Sequence, residues 1–97
     1  MKTTFYIVIN IKTIDGFQSF GRFFIGNNRE AAYALFSQLK GNAEFSEQDI
    51  LHLDLMETRD NLPISINVMS CTLDQLSANC KIITKEVFKL LNLEEAG

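Results

Sequence analysis

The sequence is poor in the residues that usually announce a chemistry or a special architecture. Among 97 residues there are one histidine, one proline, two cysteines and no tryptophan. Two cysteines make no disulfide framework, and Cys71 and Cys80 lack the Cys-x-x-Cys spacing of metal and redox motifs. Two reduced, mostly buried thiols are therefore expected. With one proline and five glycines the chain is neither collagen-like nor a proline-rich linker. No run approaches the ~18 consecutive apolar residues of a membrane span, and the first residues do not read as a basic region, an apolar run and a cleavage site. A cytoplasmic chain with no membrane association is the expectation. Positive charge is not in excess either. Twelve acidic against nine basic side chains give a net charge of −3 and a pI near 5.0, a field that disfavours nucleic acid and anionic membranes.

What is present is apolar content, 46% of residues against 22% charged, the balance of a folded globular chain. Ninety-seven residues make one domain, 1–97, with no room for a second core. A chain of this size buries a little over ~60% of its unfolded surface, so an uncovered apolar face points to a partner. Charge is unevenly placed. Residues 1–41 carry five basic and two acidic side chains and residues 42–97 four basic and ten acidic, so the two halves attract each other.

The first periodic segment alternates, with Phe5, Ile7, Ile9 and Ile11 on one side and Tyr6, Val8, Asn10 and Lys12 on the other. Asp15-Gly16 reads as a two-residue hairpin turn leading into a second strand, Phe17 to Ile25. That turn would pair Val8 with Phe23 and Tyr6 with Ile25. Asn27 and Glu30 have capping-box spacing, and Ala32, Leu35, Phe36 and Leu39 continue as a helix over about 28–40, ending at Lys40-Gly41. Residues 42–49 read as an acidic connection with Phe45 as an anchor. Leu51, Leu53 and Leu55 at strict two-residue spacing predict a strand, although Ser46-x-x-Asp49 leaves a helix over 47–58 as the alternative. Turn residues Arg59-Asp60-Asn61 and Pro63 separate it from an alternating Ile64, Ile66 and Val68. Thr72 and Gln75 form a capping box for a last helix, with Leu73, Leu76, Cys80, Ile83, Val87 and Leu90 repeating at three and four to about Leu91.

The fold class is thus α+β in the order β-β-α-β-β-α: two hairpin-helix units, 1–41 and 50–91, forming a four-stranded, mainly antiparallel sheet with two helices on one face. The other face is left for solvent or a partner. Tyr6, Val8, Phe23 and Ile25 are the candidate interface on it, the apolar end of an otherwise polar surface, and a protein partner or a homodimer is the expectation.

Candidate chemistry is thin. His52 and Asp54, at i and i+2 on one strand face, have the spacing of an acid-base pair, against a solvated polar face. Two groups fall short of a metal site, and no metal or cofactor is expected. Cys71, just before a helix N-terminus, has the position of a nucleophile whose pKa a helix dipole lowers; a small residue closing a strand is the opposing reading. No glycine-rich phosphate loop is present, and Gly21 reads as relief of crowding opposite Asn10. Lys81, Lys85 and Lys89 form a basic ridge that suits the C-terminal half of a helix. Aromatics on an open sheet near Lys12, His52 and Met69 are how single-strand RNA readers stack bases, but Gly21-Arg22-Phe23-Phe24 is only a fragment of their pattern. A binding module is the leading reading, a small enzyme using Cys71 or His52 and Asp54 the alternative, and single-stranded nucleic-acid binding the third.

Two segments carry a resemblance. Phe20-Gly21-Arg22-Phe23 through Gly26-Asn27-Asn28-Arg29-Glu30-Ala31 to Leu39-Lys40-Gly41, and Leu53-Asp54-Leu55 with Cys71-Thr72-Leu73 and Asn79-Cys80-Lys81, resemble a family of short Bacteroidetes proteins without an assigned activity. The resemblance implies a small stand-alone bacterial α+β protein and transfers no catalytic residue.

Overall fold

The computed structural model describes residues 3–42 and 50–96, with side chains described through residue 89. The predicted acidic connection with Phe45, and the side chain of Leu90, lie outside these. Six elements follow in the expected order: β1 (Thr3–Thr13), β2 (Gly16–Gly26), α1 (Arg29–Ser37), β3 (Leu51–Arg59), β4 (Leu62–Cys71) and α2 (Leu73–Ala96). The four strands form one antiparallel sheet in the order β2-β1-β3-β4. Both alternating segments are strands because one side of each is apolar throughout. Ile7, Ile9 and Ile11 lie across from Leu55, Leu53 and Leu51, and all face the helices. The helix alternative for 47–58 does not hold over the described residues 51–58.

The two hairpins turn differently. Asp60 and Asn61, at φ 52° and 70°, are the positive-φ pair of a type I′ turn. The first hairpin does not use Asp15-Gly16 as its central pair: Ile14 and Asp15 form the turn, Thr13 pairs with Gly16, and the positive φ of 105° falls on Gly16 alone. Thr13 completes it, its Oγ1 accepting from the Asp15 amide at 3.2 Å and donating to the Gly16 carbonyl at 2.8 Å. β2 then carries two extra residues relative to β1, Phe20 between the pairs Asn10–Ser19 and Ile9–Gly21, and Ile25 between Tyr6–Phe24 and Phe5–Gly26. These bulges move the register, so Gly21 faces Ile9 rather than Asn10.

Asn28, rather than Asn27, caps α1, its side chain accepting from the Ala31 amide at 2.9 Å. The helix stops at Ser37 because the next amides tighten into i,i−3 bonds, Gln38 to Leu35 at 3.0 Å and Leu39 to Phe36 at 3.1 Å. α2 opens on the expected reciprocal box: the Gln75 amide donates to Thr72 Oγ1 at 3.1 Å and the Thr72 amide to Gln75 Oε1 at 2.9 Å. Ala32, Leu35, Phe36, Leu39 and Ile83 join the strand residues in one buried cluster, so both helices lie on the same sheet face.

A polar node joins the layers. Asn79, 0% exposed, uses both ends of its amide on Lys40, accepting from the main-chain N–H at 2.7 Å and donating to the carbonyl at 2.8 Å. The next two residues lie against β4, where Asn42 and Ser70 exchange main-chain hydrogen bonds at 2.8 and 2.9 Å. Gly41 permits this approach, since a Cβ there would strike the Ser70 carbonyl oxygen. Gly41→Ala should therefore cost about 2 kcal/mol by overpacking. Asn79→Ala, which strands both main-chain groups of Lys40, should cost about 2–4 kcal/mol. Urea unfolding checks both, as a lowered midpoint with an unchanged slope.

Candidate functional site

With both helices on one face, the other carries the even-numbered residues of β1 and β3. Tyr6 and Val8 lie on that face, half-buried. Phe23 and Ile25 do not. Phe23 pairs with Ile7 and packs against the core, and Ile25 is 3% exposed within it. The cause is the register: with the turn one residue earlier and an extra residue at Phe20, Phe24 takes the position across from Tyr6 and Arg22 the one across from Val8. Met69 lies across from Leu53 on the helix side. The exposed aromatics of the sheet are instead Phe17, Phe20 and Phe24, at 39%, 59% and 63%, all on β2. No signal in single-sequence alternation marks them, because a bulge breaks the alternation that would have to reveal it.

Short polar and ring contacts order this face. The Arg22 guanidinium stands 5.3 Å above the Tyr6 ring. Phe17 stacks on His52, centroids 4.2 Å apart and planes 15° from parallel, which contributes to the burial of the imidazole. Asp54 lies two residues along the same face and accepts from Ser65 Oγ at 2.6 Å. Burial raises the Asp54 pKa above its ordinary 3.8, and the Ser65 hydrogen bond and the nearby His52 only partly offset that. The structure thus brings His52 and Asp54 to one face beside Ser65. Asp54 is committed to Ser65, and the imidazole is covered by a phenyl ring.

Cys71 is elsewhere. It lies across from Leu51 in the buried cluster, whereas His52 points to the opposite face, so the sheet separates the thiol from the only imidazole. Burial, with Cys80 nearby adding to it, raises the Cys71 pKa, the opposite of what a dipole-activated nucleophile needs. Along α2, Lys81, Lys85 and Lys89 are exposed, and Lys89 lies 3.6 Å from Glu86. A cluster that sequence reasoning missed sits at the edge of the core. Glu57, its side chain 3% exposed, accepts from Arg29 at 2.6 Å and Arg59 at 3.0 Å. Arg29 and Glu57 come from the oppositely charged halves of the chain, and the pair ties the start of α1 to β3. Among the described residues no group of three His, Cys, Asp or Glu is placed to hold a metal, and no helix is long and apolar enough to cross a membrane.

No protein-family model, curated protein or solved structure matches the chain.

Two measurements check this geometry. Because ionised Asp54 is disfavoured in the folded state, wild-type stability should fall as pH rises above about 3.8 through this group. Asp54→Asn removes that cost and keeps an oxygen for Ser65. The variant should therefore be more stable at pH 7, the two proteins converging below pH 3.8, as denaturation midpoints across pH will show. In pulsed thiol labelling read by mass spectrometry, the half-buried Cys80 should react before the buried Cys71 at every pH that keeps the protein folded.

Proposed function

We propose that this protein works by contact with another polypeptide, through the face of its sheet that the helices leave bare. One observation carries the reading: one sheet face is sealed by both helices, while the first hairpin keeps aromatic rings, Phe17 and Phe24 among them, at the surface beside Tyr6 and Val8. A domain this small gains from covering such a patch. The site's chemistry supports contact over catalysis, since its carboxylate is held by Ser65, its imidazole is under a ring and its best-placed thiol is in the core. The partner is another protein or a second copy of the chain.

Light scattering across concentration tests this. The reading expects mass above 11.0 kDa at high concentration, reduced by the double change Tyr6→Glu and Val8→Lys on the bare face or by Phe24→Glu at its rim. A strict monomer that these substitutions leave unchanged would remove the self-association form.

A further inference from the structure

The sheet has two edges, and they are treated differently. β4 is guarded along its length: Pro63 has no amide to offer, the Asn67 side chain takes the Val68 amide at 2.9 Å, and Asn42 pairs with Ser70. β2, the other outer strand, has no such guard. Among the described residues nothing pairs with its outer side, and it is eleven residues long with Arg22 as its single charge. An open row of main-chain donors and acceptors calls for another strand.

We propose that the strand added to β2 is β2 of a second copy, antiparallel, giving a continuous eight-stranded sheet about a two-fold axis between Phe20 and Gly21. This rests on the contact reading above and names its partner. The bulge selects the register. Before Phe20 the bare face is served by odd positions, Phe17 and Ser19; after it by even ones, Arg22 and Phe24. An antiparallel pairing of identical strands keeps like faces together across that shift only where positions sum to an odd number, and centring the pairing on the bulge lets it run the length of β2. In this register Phe17 is paired with Phe24 of the second copy, Gln18 with Phe23 and Ser19 with Arg22, each twice, and no two arginines are opposed. Taking about 200 Å² for a whole ring, Phe17, Phe20 and Phe24 contribute roughly 300 Å² of exposed surface per copy, about half of the ~600 Å² per partner at the low end of stable interfaces. The paired main chain with Gln18, Ser19 and Arg22, all exposed, adjoins them.

Ser19 provides a test with opposite signs. It is exposed, so its substitution leaves the fold intact, which circular dichroism and urea midpoints verify. In the proposed register Ser19→Glu places a carboxylate against Arg22 of the second copy twice, and the dimer, measured by sedimentation over a dilution series, should tighten roughly fivefold; Ser19→Lys opposes two cations and should weaken it by a similar factor. Adding Arg22→Glu to Ser19→Lys should restore the dimer. Equal or absent effects of the two Ser19 substitutions overturn the edge pairing. If the dimer is indifferent to them but is lost in the Tyr6→Glu, Val8→Lys variant, the bare face is the contact, and the broader reading stands while the edge proposal falls. A monomer at all concentrations overturns the edge proposal and the self-association form of the broader reading together.

Discussion

Much of the molecule depends on one side chain reaching across its two layers. Asn79 reproduces on Lys40 the paired hydrogen bonds of a β ladder, from inside a helix and with no exposure to water. Because both main-chain groups of Lys40 are satisfied there, the end of α1 is held to α2, and the chain leaving it is set down on β4 with Gly41 as the only residue small enough for the crossing. Three properties follow. The helices share one face of the sheet, neither helix covers the opposite face, and the β4 edge is partly covered by the segment through Asn42.

The second constraint is burial. The core is made from alternate residues of β1 and β3 and the inner stripes of the helices, and at this size there is little apolar material to spare. Even so, β2 places phenylalanines outside. A buried carboxylate, Glu57, is accommodated at the other end of α1 because two arginines, each about half in solvent, share it. Such a pair contributes modestly where the cations stay hydrated, but leaving Glu57 alone in the interior would cost much more. It therefore acts mainly to position α1.

Much of this could be read from sequence wherever the pattern was unbroken. The alternation of Phe5 to Ile11 and of Leu51 to Leu55, and the Thr72–Gln75 box, each appear in the structure as expected. What could not be read depended on interruptions and distant pairings. The residues Asp15-Gly16 favour a type I′ turn, yet that turn falls at Asp60-Asn61, and the earlier hairpin starts one residue sooner. One extra residue at Phe20 then exchanges the faces of everything after it, which is why Phe23 and Ile25 are inside and Phe24 is outside. Asn79 and Glu57 are ordinary polar residues until residues 39 and 28 positions away arrive beside them.

The proposed contact rests on an asymmetry between two edges and between two faces, and it assigns to β2 the place where this chain would meet another. Amide hydrogen exchange as a function of protein concentration tests that most directly. The account predicts that outward-facing amides between Gly16 and Phe24 exchange freely at high dilution and gain protection on concentration, with β4 unchanged. Exchange in β2 that is the same at every concentration, while the protein's mass rises, would contradict it.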